Sequence, residues 1–89
     1  MAKYPLSELG HVATDFKSRH IMSFPELGER ITKATGVEIK EPSFQQARRS
    51  DRGHEALRKV VMDYMRSEDP KLVEASLATY NEYCRPEGA

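Results

Sequence analysis

The groups in this chain whose types and spacing could support catalysis or metal binding are one cysteine, three histidines and a scatter of glycines and carboxylates. Cys84 has no histidine partner at a nucleophile–base spacing, so it reads as a structural or incidental thiol. His11, His20 and His54 form no ligand pair on one helical turn, and no Cys-x-x-Cys accompanies them, which argues against a zinc site. His11 and His20 read as surface residues, and His54 falls in a turn. Gly28, Gly36 and Gly53 stand too far apart for a phosphate-cradling loop. Asp63, Glu68 and Asp69 lack the alternating spacing of a calcium loop. The expectation is a domain that is not an enzyme, needs no cofactor and acts by binding.

The bulk numbers bound what such a domain is. Eighty-nine residues make one domain, and a chain of that size buries a modest core, so dimerisation would add useful stability. We expect a single helical domain over residues 1–89, with an ordered core at 5–84 and a flexible tail at 85–89. Lysine plus arginine equals aspartate plus glutamate at 14 each, whereas a nucleic-acid binder usually carries a positive excess. The charges are unevenly spread, however. Residues 30–59 carry a net +4, residues 1–29 a net −1 and residues 60–89 a net −3. No apolar run approaches the roughly 20 residues that span a bilayer, and no apolar stretch of a secretory signal follows the N-terminus. One cysteine cannot form an internal disulfide. The expected compartment is the cytoplasm, with no membrane partner.

The elements that must position any binding residues are helices. Ser7 caps a first helix over 7–19, whose apolar face is Leu9, Val12, Ala13 and Phe16, with Gly10 weakening its first turn. Ser23-Phe24-Pro25-Glu26 is a capping box, with Met22 and Leu27 placed as a hydrophobic staple. It opens a second helix over 24–34 whose buried stripe is Leu27, Ile31 and Ala34, and which Gly36 ends. Val37 and Ile39 are expected to tuck an extended connector into the core. A third helix follows Pro42 to about residue 50, with Phe44 and Ala47 as its apolar positions. Ser50-Asp51-Arg52-Gly53 signals a turn, although one bent helix through this region is the alternative. The fourth helix carries Leu57, Val60, Val61, Tyr64 and Met65 at helical spacing, with Asp51 as its expected cap. Asp69-Pro70 ends it and opens a fifth helix over 70–83, lined by Leu72, Val73, Leu77 and Tyr80 and interrupted by Ser76. The fold class is therefore all-α, a compact bundle of four to five short helices.

Residues 24–50 resemble the helix-turn-helix of DNA-binding transcription regulators. Leu27-Gly28 matches the apolar-then-small pair of the first helix, Gly36-Val37 the turn, and Ser43-Phe44 with Ala47 the start and anchor of the recognition helix. The chain departs from the pattern in a longer first helix and a longer connector, 37–42. The resemblance implies that Gln45, Gln46, Arg48 and Arg49 point outward, where glutamine pairs with adenine and arginine with guanine in the major groove. Ser43 belongs to the same interface, and Arg52, Arg58 and Lys59 would hold phosphates of double-stranded DNA. A homodimer would place two such helices about 34 Å apart.

A different class fits the same pattern. A neutral helical domain can be an adaptor or inhibitor, mobile-element encoded for example, that binds a partner protein and not DNA. Tyr4, Tyr64, Tyr80, Tyr83, Met22, Met62 and Met65 are of types enriched at such interfaces, and the fifth helix would serve as a dimer surface. DNA binding requires the central basic residues to converge around Gln45. Protein binding requires a contiguous exposed apolar patch.

Overall fold

The computed structural model describes residues 7–84. The expected tail at 85–89, the expected core residues 5 and 6, and Tyr4 lie outside the described residues. Five α-helices follow one another: α1 (Glu8–Arg19), α2 (Phe24–Thr35), α3 (Glu41–Arg49), α4 (Glu55–Glu68) and α5 (Pro70–Thr79). A π-helical turn, Tyr80–Cys84, continues α5. No strand occurs among the described residues, and no helix there is long and apolar enough to cross a membrane.

The helix starts obey local chemistry. The Ser23 hydroxyl accepts a hydrogen bond from the Glu26 N–H at 3.2 Å, Pro25 sits in the first turn, and Met22 and Leu27 are both buried as a staple. Asp69 accepts from the Leu72 N–H at 3.4 Å and Pro70 opens α5. Gly36 ends α2 with φ 79°, a backbone state that costs glycine nothing. The helix break between α3 and α4 is real: Gly53 and His54 both take positive φ there, so the two are separate helices and not one bent one.

α1 occupies the middle of the molecule and packs against each of the other four helices. Leu9, Val12, Ala13 and Phe16 are buried along it, and they meet Leu27 and Ile31 of α2, Phe44 and Ala47 of α3, Val61 and Met65 of α4 and Val73 of α5. At about 25 cal/mol per Å² of apolar surface removed from water, this shared cluster is the main stabilising element of a small domain.

Several placements differ from the sequence expectation. Ala34 is exposed, because α2 lies at the edge of the bundle and buries only the stripe of Leu27, Gly28 and Ile31. Of the connector residues, Ile39 is half-buried with its N–H donating to Thr32 Oγ1 at 3.0 Å, whereas Val37 stays exposed. Asp51 does not cap α4, whose first residue follows His54. Its carboxylate accepts from the Glu8 N–H at 3.2 Å instead, and so serves the start of α1. His11 is buried rather than on the surface, beside Asp15 and the ring of Tyr80.

Candidate nucleic-acid interface

α3 is a short helix, and what holds it decides which of its side chains are available. Its start has Pro42 in the first turn and no side-chain cap. Its inner face is fastened to α1 through a single serine. Ser7 Oγ accepts from the Gly10 N–H at 3.0 Å and donates to the Ala47 carbonyl at 2.7 Å, while the Ser7 N–H donates to the Arg48 carbonyl at 2.8 Å. The two helices cross so closely that a Cβ on Gly10 would lie 2.0 Å from the Arg48 oxygen. Gly10 is therefore the small residue the crossing requires. Gly28, which the helix-turn-helix resemblance assigned to close packing, leaves room for an ordinary contact of 3.5 Å with Ile39.

Arg48 faces inward. It is 8% exposed, and its guanidinium carbon lies 3.7 Å from the Phe24 ring centroid and 4.5 Å from that of Phe44. The two rings meet edge to face, 6.0 Å apart. Such cation–π contacts strengthen when desolvated. Nη2 lies 3.4 Å from Glu41 Oε2, and the buried Nη1 has no hydrogen-bond acceptor among the described residues. Burial lowers the guanidinium pKa from its ordinary value, and the Glu41 carboxylate opposes that; an arginine so placed remains charged. The expected outward, base-reading position of Arg48 is thus corrected. The side chain stacks α3 onto α2, because two aromatic faces and a carboxylate offer the cation a site inside the bundle.

Arg58 is likewise turned onto its own chain. Its Nε donates to the Gly53 carbonyl at 2.7 Å, Nη1 to Ala47 at 3.0 Å, and Nη2 to Arg52 at 2.9 Å and to Ser50. The carbonyls at the end of α3 and in the following turn lack helical partners, and this one guanidinium supplies them. The phosphate-holding position expected for Arg58 is replaced by a clasp between α3 and α4.

The remaining expected residues are at the surface. Gln45, Gln46 and Arg49 are exposed on the face of α3 opposite Phe44, Ala47 and Arg48, and Ser43 is half-buried beside them. Gln45 and Arg49, four residues apart, are neighbours on one helical row. His54 Nε2 lies 3.4 Å from Gln46 Oε1. Arg52 is exposed just past the helix end. Lys59 is exposed one helix on, 3.0 Å from Asp63; so open a pair is worth little and leaves the ammonium available. The exposed carboxylates Glu41, Asp51 and Glu55 belong to the same region and dilute its positive charge.

A second polar cluster lies on the far side of α1. Ser76 is buried and donates to Asp15 Oδ2 at 2.7 Å, and His11 Nε2 lies 3.5 Å from the same oxygen. The carboxylate of Asp15 thus joins the Ser76 hydroxyl of α5 to the imidazole side of α1. No group of three or more His, Cys, Asp or Glu that could hold a metal ion occurs among the described residues. In the sequence Ser76 only interrupts an apolar stripe, and the local signal of this cluster is the i, i+4 spacing of His11 and Asp15. Comparison with models of known families, with curated proteins and with solved structures finds no match for this chain.

Proposed function

We propose that this domain is a small regulator that binds double-stranded DNA through the outer face of α3. Gln45, Gln46 and Arg49 enter the major groove, and Ser43, Arg52 and Lys59 contact the backbone. The observation that carries the reading is that Gln45, Gln46 and Arg49 share the exposed face of a helix whose other face is fixed by Phe44, Ala47 and Arg48. These are the side-chain types that make bidentate contacts with adenine and guanine. A helix held at its C-terminal end by Ser7 and Arg58 and along its inner face by Phe44 and Ala47 keeps them in one register, which base reading needs. Arg48 and Arg58 act in this reading by positioning α3 rather than by touching DNA. The alternative, an adaptor for a partner protein, has less support. Val37 and Ile21 are the large apolar side chains exposed among the described residues, and two separate residues do not make a contiguous patch.

The test is fluorescence anisotropy of the protein with random duplex DNA at about 50 mM and about 200 mM salt. With Arg52 and Lys59 as the cations facing phosphate, each chain should lose roughly 12-fold in affinity over that interval. Absence of binding at the lower salt defeats the proposal.

A further inference from the structure

The turn that joins α3 to α4 places a histidine in an uncommon backbone state. His54 takes φ 55° and ψ 40° directly before the first residue of α4. That left-handed region is sparsely used by residues other than glycine. His54 also stands at the capping position of α4, where serine, threonine, asparagine or aspartate would accept from a backbone N–H. Its side chain makes no such bond. The ring instead reaches back across the turn to α3, with Nε2 3.4 Å from Gln46 Oε1. The turn is tied to the end of α3, because the Arg58 guanidinium gathers the carbonyls of Ala47, Ser50, Arg52 and Gly53. His54 follows Gly53 directly, so its ring meets the outer face of α3 from a fixed frame. A residue in such a backbone state that does not serve its own helix directs attention to what its side chain does elsewhere.

An amide oxygen carries no proton, so the ring nitrogen that faces it is the donor: His54 Nε2–H donates to Gln46 Oε1. That contact breaks a symmetry. The last torsion of a glutamine side chain is broad and roughly two-fold, so an exposed amide can present its oxygen and its nitrogen in either order. Adenine matches one order only: the oxygen takes a bond from the N6 amino group, and the NH2 gives one to N7. The amide oxygen has two lone pairs. His54 occupies one and leaves the other for the base. On the basis of the DNA reading above, we propose that His54 is a positioning residue for Gln46, turning its amide to the order that pairs with adenine and so setting one base of the DNA site. At 3.4 Å the bond is long. It biases the orientation of the amide rather than locking it, and its effect on specificity is moderate.

Duplexes selected by the wild-type chain from a pool with a randomised centre give the preferred site, and Gln46→Ala identifies the base pair that Gln46 reads. That base is expected to be adenine. His54→Asn is the decisive variant, because asparagine enters the left-handed backbone state readily and its shorter side chain does not reach Gln46. Replacing the adenine should cost the wild type roughly 5- to 50-fold in affinity, and His54→Asn should shrink that discrimination by roughly 3- to 10-fold. Preferences at every other position, and the salt dependence, should stay as in wild type. A merely structural histidine would alter all positions together or none. In the free protein, the ring-nitrogen NMR shifts of His54 should report a proton on Nε2. A wild-type chain that selects no duplex defeats the DNA reading and the role of His54 with it. Successful selection that is indifferent to Gln46→Ala or to His54→Asn, a base other than adenine at the Gln46 position, or an Nε2 without a proton overturns the role of His54 alone.

Discussion

Gly10 and Arg48 meet backbone to backbone: a Cβ on the glycine would stand 2.0 Å from the arginine's carbonyl oxygen. The obstacle is a carbonyl and not a movable side chain, so α1 and α3 must separate to admit even a methyl. Gly10→Ala is expected to lower stability by about 1–3 kcal/mol or more in urea unfolding, overriding the gain that alanine normally brings to a helix. Gly28→Ala, whose new methyl would find ordinary contacts, is expected to be neutral or to stabilise by up to about 1 kcal/mol. Equal losses in both variants would show that the α1–α3 crossing is not the tight one.

Arg48 and Arg49 are adjacent in sequence and opposite in role. Arg48→Ala removes a cation stacked on Phe24 and Phe44 and is expected to cost about 2–4 kcal/mol of folding free energy. Arg49→Ala, at an exposed position, should leave stability within about 0.5 kcal/mol of wild type. In the DNA assay Arg49→Ala should nevertheless weaken binding. A double variant of the two arginines would mix the effects, so each is measured separately by denaturation and by anisotropy. An Arg49→Ala chain with unchanged DNA affinity removes that residue from the interface.

Arg58→Met keeps most of the side-chain length and deletes the donors that serve Ala47, Ser50, Arg52 and Gly53. Hydrogen bonds from a charged donor contribute about 1.5–3 kcal/mol each at most, and exposure reduces that here. We expect a net loss of about 1–3 kcal/mol and faster amide hydrogen exchange in the last turn of α3. Exchange that is unaltered in that turn would contradict the role of Arg58 as a clasp.

Tyr64 provides the pH dependence. Burial first, and Glu68 second, raise its phenol pKa above the ordinary 10.0. The folded state thus holds the phenolic proton more tightly than the unfolded chain. The corresponding stability is complete below pH 10 and is lost as pH rises through the folded pKa. Urea midpoints taken between pH 9 and the alkaline limit should fall more steeply for wild type than for Tyr64→Phe; parallel curves would contradict this. The comparison with phenylalanine isolates Tyr64 from the other tyrosines.

The sequence by itself determined the helices and most of their limits. Ser7, Ser23 and Asp69 each bond an N–H three residues away, and Gly36 acts within its own turn. Chemistry confined to one helical turn is visible in a short window of residues, as is the periodic stripe that became the core. The exposed face of α3 was legible for the same reason, since Gln45, Gln46 and Arg49 fall opposite Phe44 and Ala47. Tertiary structure alone decided what the remaining polar groups do. Asp51 finds its donor 43 residues away at Glu8, and Ser76 its acceptor 61 residues away at Asp15. Arg48 turns inward because Phe24, from another helix, completes an aromatic site with Phe44. An arginine on a helix has the same local pattern whether its guanidinium meets water or two rings. Only the packing of α2 and α1 against α3 settles that choice, because the energy lies in contacts between residues distant along the chain.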